Sequence, residues 1–218
     1  MRALYLLIAA GAHDNAWALL DARAIRGSNR VLSEANYAEL KLVASDAAAG
    51  DNFGYSVAID GDTVVVAATG DDGGGSGSGS AYVLRTTDGG ATYVEVAKLT
   101  ASDAAAGDAF GRSVAIDGST IVVGAYYKSS GTGAVYIFST TDGWTTHTEI
   151  KLTAADAAAN DYFGESVAID GATVVVGAHA KDSYTGSVYV FRTTDGWTTH
   201  TEIKLTAADA AYDDGFGD

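Results

Sequence analysis

Aspartate is the residue of this sequence whose chemical type and regular spacing could form a functional site, such as one that binds a metal ion. It stands two residues before each Phe-Gly pair and recurs in the Asp-Gly pairs that follow. Carboxylate oxygens are the ligands that hard cations such as calcium prefer. The candidate metal ligands on this basis are Asp51, Asp60, Asp62, Asp108, Asp117, Asp161 and Asp170. Aspartate also caps backbone N–H groups in turns, and the pattern favours this structural role over a cation site.

The histidine, serine and arginine residues form no converging catalytic pattern. His147 and His200 occupy copies of one repeat position, so we expect their side chains to point in parallel rather than towards one centre. The run Gly73–Ser80 lacks the Gly-Lys-Ser/Thr ending of a phosphate-binding loop and is interpreted as a flexible connection. We therefore expect no enzymatic activity.

Charge and composition exclude several classes of partner. The 218 residues include 28 Asp and Glu against 13 Lys and Arg, which gives a net charge of −15. Such a surface repels phosphate backbones and anionic lipids, so we expect no nucleic-acid partner. The absence of cysteine excludes disulfides and thiolate metal sites. No apolar stretch approaches the roughly 20 residues of a membrane span.

The N-terminal segment allows two interpretations. Residues 1–12 combine Arg2, an apolar run and a small-residue ending, as a secretory signal does, although the segment is short for one. An N-terminal strand or helix, or a misplaced start, explains the same residues. The following segment, 13–36, is predicted to be a helix and a linker. Its helix covers Asp14–Gly27, with Asp14 or Asn15 as the capping residue and Gly27 at the end.

The rest of the chain is built from an internal repeat. Phe-Gly occurs four times, and Ser-Val-Ala-Ile-Asp-Gly follows it in the first three cases. The segment TTDGWTTHTEIKLTAADAA occurs twice without a change, from Thr140 and from Thr193. Self-similarity at a period of roughly 50 residues is typical of repeat architectures.

Each repeat unit contains four strand-like stretches. In the third unit the first stretch, SVAID, mixes β-branched with small residues, and the second, Thr173–Ala178, is an unbroken apolar run. Such a run predicts a strand covered on both faces. The third stretch, Ser187–Phe191, is aromatic and β-branched, and the fourth, Thr201–Thr206, alternates polar with apolar residues. Asp-Gly pairs between the stretches predict tight hairpin turns.

These features predict an all-β fold, a β-propeller of four-stranded antiparallel blades, with a short helical N-terminal segment. About three blades are present in the region 37–218, at 53–101, 110–154 and 163–207, with a truncated fourth from 214. Tyr37–Ala44 matches the fourth strand of a preceding unit. A β-sandwich is the rival, but it has no reason to repeat its sequence. Propellers close with ~4–8 blades, so we expect further blades or other copies of the chain to cover the open blade faces.

The repeated sequence pattern Phe-Gly-x-Ser-Val … Val-Val-Gly-Ala … Gly-x-Val-Tyr-x-Phe resembles the FG-GAP repeat of integrin α-subunit propellers. The resemblance implies a propeller at the cell surface or outside the cell that binds rather than catalyses. The calcium loop of that family, between strands one and two, is replaced here by short turns at Asp60, Asp117 and Asp170. Calcium needs ~6–8 oxygen ligands, so we expect no cofactor, with calcium as the doubtful alternative.

A second resemblance lies between strands three and four of the first unit. Thr86–Tyr93 is similar to the Asp-box hairpin of sialidase-type propellers, with Thr and Tyr in place of Ser and Trp. In that family the box is structural, so it supports the propeller and implies no sugar cleavage.

The variable loops are the predicted binding surface. In a propeller the loops between strands two and three share a face with those between strand four and the next strand one. Aromatic and charged side chains there suit contact with a protein or a glycan. The candidates are Tyr126, Tyr127, Lys128, Tyr162, His179, Lys181, Asp182 and Tyr184. A binding or adhesion module is favoured; a purely structural repeat of a larger surface protein, or a propeller fragment of an enzyme with its site in other blades, remain alternatives.

Overall fold

The computed structural model describes residues 7–9, 17–19 and 39–218. Its main body consists of three four-stranded antiparallel sheets, called blades here, and in each blade the spatial order of the strands follows the chain. Blade one contains β3 (Phe53–Asp60), β4 (Thr63–Ala68), β5 (Ser80–Arg85) and β6 (Val94–Leu99). Blade two contains β7 (Ser113–Asp117), β8 (Thr120–Ala125), β9 (Ala134–Ser139) and β10 (Thr148–Leu152). Blade three contains β11 (Val167–Asp170), β12 (Thr173–Ala178), β13 (Ser187–Arg192) and β14 (Thr201–Leu205). The predicted all-β fold with propeller-like blades is confirmed.

The N-terminal region differs from the prediction. The strands β1 (Leu7–Ala9) and β2 (Trp17–Leu19) form an antiparallel pair. The helix predicted over 14–27 is therefore wrong at Trp17–Leu19, because pairing with another segment outweighs local capping signals. The rest of that helix, and most of the possible signal segment, lie outside the described residues. The described helices are the single turns α1 (Lys128–Gly131) and α2 (Lys181–Tyr184), and neither is long enough to cross a membrane.

Apolar side chains on both faces of the second strand of blade two form the cores between blades. In blade two, Ile121 and Val123 pack towards blade one, whereas Val122 between them packs towards blade three. All three are fully buried. The unbroken apolar run of β8 is thus explained, because successive side chains of a strand alternate between two faces that are both covered.

The Phe163-Gly164 pair joins blades two and three. Phe163 forms a parallel bridge with Gly133 of blade two, and its ring lies 5.4 Å from that of Tyr189 and 5.9 Å from that of Phe191 in blade three. Gly133 has φ +84, and a Cβ there would lie 2.0 Å from the Phe163 carbonyl oxygen. Only glycine accommodates both the backbone conformation and this close approach.

The two outer blade faces differ. Leu42 and Ala44, both buried, pack on the outer face of blade one. In that segment, predicted as a strand, Lys41 forms only an isolated β-bridge among the described residues. On the other side of the molecule, Ile203 and Leu205 of blade three are 53% and 45% exposed. This apolar surface agrees with the expectation of an open blade face.

Candidate functional site

The loops predicted to form the binding surface contact each other directly. The β8–β9 loop meets the segment before β11, where the Tyr162 N–H donates to the Gly131 carbonyl at 2.8 Å. The β12–β13 loop meets the C-terminal segment, where the Gly215 N–H donates to the Tyr184 carbonyl at 2.9 Å. These backbone bonds hold side chains from different blades side by side.

Five of the predicted loop residues form one cluster, called the aromatic patch: Tyr126, Tyr127, Tyr162, His179 and Tyr184. The rings of Tyr126 and Tyr127 lie 4.5 Å apart, and each lies within 5.7 Å of the Tyr162 ring. The imidazole of His179 stacks on Tyr162 at 5.5 Å and contacts Tyr184 at 5.9 Å. The patch therefore crosses continuously from blade two to blade three.

A charged pair borders the patch on the side of blade one. The guanidinium of Arg112 lies 4.9 Å from the Tyr126 ring and 5.3 Å from the Tyr55 ring, within the range of a cation–π contact. Arg112 Nη2 donates to Glu165 Oε1 at 2.6 Å, and the other oxygen of Glu165 faces His179 Nδ1. The Glu165 side chain is only 10% exposed and that of Arg112 is 29% exposed, so the pair is largely shielded from solvent.

Sequence reasoning missed Tyr55, Arg112 and Glu165 as members of this site. The signal was present, because the segments that lead into and form the three first strands read FGYSVAIDG, FGRSVAIDG and FGESVAIDG. The residue after Phe-Gly is the one that changes while its neighbours stay constant. Variable positions on a constant scaffold are where binding residues concentrate.

The hydroxyls of Tyr126 and Tyr162 remain protonated at neutral pH. Burial raises the pKa of Tyr162, and the neighbouring Tyr127 and Glu165 raise it further. Burial also raises the pKa of Tyr126, against the opposing effect of Arg112. These two hydroxyls are therefore neutral, and a neutral hydroxyl both donates and accepts hydrogen bonds.

Lys128 and Lys181 are not part of the exposed surface, which corrects their prediction as ligand contacts. Lys128 is 7% exposed, and its ammonium donates to Asp108 Oδ2 at 2.7 Å and to the backbone carbonyl of Asp103. Lys181 is 5% exposed and makes the equivalent bond to Asp161 at 2.8 Å. The loop geometry places both ammoniums inward, against carboxylates of the preceding loop. Asp182 is exposed and pairs with Lys204 at 3.0 Å.

The aspartates before Phe-Gly act as caps. Asp51, Asp108 and Asp161 each accept a hydrogen bond from the backbone N–H three residues earlier, at 2.6–2.7 Å. In blades two and three the buried lysine ammonium supplies the positive charge that a bound cation would otherwise supply. These hydrogen bonds are those of capping aspartates, the role that the sequence favoured.

The aspartates of the Asp-Gly turns link neighbouring blades. Asp60 accepts a hydrogen bond from the Gly118 N–H at 2.7 Å, and Asp117 accepts one from the Gly171 N–H. Asp62 and Asp170 lie in the corresponding turns of blades one and three. Within the described part of the chain, no three His, Asp or Glu side chains are grouped to hold a metal ion. Whether calcium binds remains a prediction.

Blade one replaces the buried lysine with an acidic network. Asp71 stands at the position of Lys128, and it accepts hydrogen bonds from Ser80 at 2.6 Å, Tyr82 at 3.0 Å and Lys98 at 2.8 Å. Burial disfavours the charge of Asp71, but these bonds, led by that from Lys98, outweigh it and lower its pKa to about 2. The same lysine also reaches Asp46 at 2.6 Å, which ties the preceding loop to the blade.

The Asp-box-like turns are structural in all three blades. In blade two, Asp142 accepts bonds from the N–H and hydroxyl of Thr146, at 3.0 and 2.7 Å, which lower its pKa to about 2. Trp144 follows with φ 78 at the position where Gly90 stands in blade one. Its side chain is 3% exposed and packs in the core between blades one and two.

Comparisons with known proteins bear on the family and the fold. The family model "FG-GAP repeat" matches residues 38–84, 93–138 and 146–191. No curated protein matches the sequence. Among solved structures, the crystal structure of Sqt1 from Saccharomyces cerevisiae is similar, with a TM-score of 0.47 and 12% sequence identity. The alignment covers 73% of this chain and 37% of that one.

Proposed function

The chain belongs to the FG-GAP repeat family, and on that premise we propose that it is a non-enzymatic binding module of an extracellular or cell-surface protein. It contacts a protein or a glycan through the loops between strands two and three and those between strand four and the next strand one. Further blades or other copies of the chain cover its open faces.

The aromatic patch is the observation that supports this function. Tyr127 and Tyr184 are 46% and 43% exposed although their rings are packed against neighbours. Tyrosine supplies a large contact area at a low entropy cost, since few torsions must be fixed, and it is enriched among the residues that dominate binding energy. The patch is built from loop residues that vary between the repeat units.

Two kinds of probe test the function. The purified chain is offered an array of defined glycans and a phage-displayed library of random peptides. We expect ligands that the double variant Tyr127→Ala/Tyr184→Ala no longer holds. The matched control is Tyr212→Ala, because Tyr212 is 76% exposed and lies outside the patch. Recovery of no ligand, or full retention by the double variant, refutes binding at the patch. Shortening of a captured glycan during prolonged incubation contradicts the non-enzymatic part of the proposal.

A further inference from the structure

The exposed aromatic area of the site is small. Tyr55, Tyr127 and Tyr184 are 46%, 46% and 43% exposed. A tyrosine side chain presents on the order of 200 Å², so each ring offers about 100 Å² and the three together about 300 Å². A standard protein interface covers roughly 800 Å² on each partner. The aromatic surface thus fits a ligand of a few rings better than the core of a protein interface.

The charges of the site are already paired. Arg112 is held by Glu165 at 2.6 Å, and the nearby ammoniums of Lys128 and Lys181 are held by buried carboxylates. The site therefore offers no unpaired cation to attract an anionic ligand, and the net charge of −15 repels one. A cationic ligand would have to pair with a carboxylate, and the carboxylate of this site, that of Glu165, is already paired with Arg112. These charges favour a neutral ligand.

The remaining chemistry of the site combines flat apolar faces with hydrogen-bonding edges. The rings of Tyr127 and Tyr184 present apolar faces with a hydroxyl at one end. Beside them, the Glu165 carboxylate is enclosed: Oε1 accepts a hydrogen bond from Arg112, and Oε2 is buried and faces His179 Nδ1. The hydrogen-bonding groups left to a ligand are therefore the tyrosine hydroxyls, which both donate and accept.

A pyranose sugar matches this combination, because it has an apolar face of C–H groups and a rim of hydroxyls. We propose that the aromatic patch, with Arg112 and Glu165 at its edge, is a binding site for neutral oligosaccharides. Sugar rings stack on Tyr127 and Tyr184, and the tyrosine hydroxyls exchange hydrogen bonds with the sugar hydroxyls. This inference rests on the proposed binding function and names its ligand class.

Isothermal titration calorimetry with defined hexasaccharides tests the inference. The probes are cellohexaose, laminarihexaose, xylohexaose, mannohexaose and chitohexaose, with the galacturonic acid hexamer as an anionic counterpart. We expect at least one neutral probe to bind at millimolar concentration or below and the anionic probe to bind more weakly. Tyr127→Ala or Tyr184→Ala weakens the binding about tenfold, the loss of one stacked ring. Tyr127→Phe retains most of the binding because the ring remains.

The controls separate this inference from the broader one. Tyr212→Ala leaves sugar affinity unchanged, and thermal unfolding of each variant verifies that it is folded. If no neutral hexasaccharide gives a measurable heat of binding while displayed peptides bind through Tyr127 and Tyr184, the glycan inference is overturned and the binding function stands. If sugars and peptides are both silent, both proposals fail. The inference is also overturned if a neutral probe binds Tyr127→Ala and Tyr184→Ala as tightly as it binds the unaltered protein, because the sugar then binds elsewhere.

Discussion

Replacement of Lys128 by methionine tests the buried lysine that stands in the loop of blade two. The side chains of Lys128 and Asp108 are 9% and 8% exposed, and their charged atoms lie 2.7 Å apart. Lys128→Met keeps the apolar stem but removes the ammonium. Asp108 then retains only the Ala105 N–H, at 2.7 Å. Removing one partner of a buried ion pair costs roughly 3–5 kcal/mol, because the other charge stays buried without compensation.

Protonation of the orphaned carboxyl sets an upper limit on this cost. An aspartate carboxyl with an ordinary pKa of about 3.9 is neutralised for about 1.4 kcal/mol per pH unit above that value, hence about 4 kcal/mol at pH 7. At pH 5 the limit falls to about 1.5 kcal/mol. We therefore expect Lys128→Met to lose about 3–4 kcal/mol of unfolding free energy at pH 7 and clearly less at pH 5. In a protein of this size the loss at pH 7 corresponds to a fall in Tm of roughly 6–16 °C.

Urea unfolding at pH 7 and pH 5 measures both values. Lys151→Met is the matched control, since Lys151 pairs with the half-exposed Asp103 and its side chain is 35% exposed. Exposed pairs contribute about 0.2–1 kcal/mol. The double variant Lys128→Met/Asp108→Asn removes the orphaned charge and recovers part of the loss. A loss below about 1 kcal/mol at pH 7, or an equal loss at both pH values, refutes the claim that an uncompensated buried charge causes the effect.

Three further predictions concern the scaffold. Trp144→Ala lowers the unfolding free energy by about 3–5 kcal/mol through loss of a buried ring. Trp144→Gly costs about 1 kcal/mol less, because glycine suits φ 78. Thermal unfolding of the two variants measures this difference, and equal losses contradict the prediction. Gly133→Ala destabilises the protein strongly, since a Cβ meets a carbonyl oxygen at 2.0 Å. Gly171 has φ +54 and open space around it, so Gly171→Ala costs only the roughly 1–2 kcal/mol of the left-handed conformation. Similar Tm values for these two variants argue against the close approach at Gly133. Asp71 and Asp103 both have a pKa lowered to about 2, because hydrogen bonds, led by those from lysine, outweigh the opposing effect of burial. Their contribution to stability is therefore complete above about pH 4 and is lost as the pH falls towards 2; acid titration followed by circular dichroism measures this loss, and Asp71→Asn flattens the pH dependence in that window.

The strands and their order followed from local pattern. The apolar run Thr173–Ala178 predicted a strand covered on both faces; the strand forms, and Val174 and Val176 are fully buried against blade two, whereas Val175 on the opposite face is only partly buried. Repetition made this prediction robust, because the same pattern and the same Asp-Gly turns occur in each unit. The helix predicted around Trp17 failed for the converse reason. It rested on local caps in a single unrepeated segment, and that segment pairs with Leu7–Ala9 instead.

The sequence by itself determined the family, the three blades, and the loops that carry the tyrosines. Only the tertiary structure decided which loop side chains face solvent. Lys128 meets a carboxylate 20 positions away, and Arg112 meets Glu165 across 53 positions, in another blade. Strand formation depends on the alternation of neighbouring residues, which the sequence displays directly. An ion pair depends on two distant segments arriving within about 3 Å of each other, and only the packing of blade against blade fixes that distance.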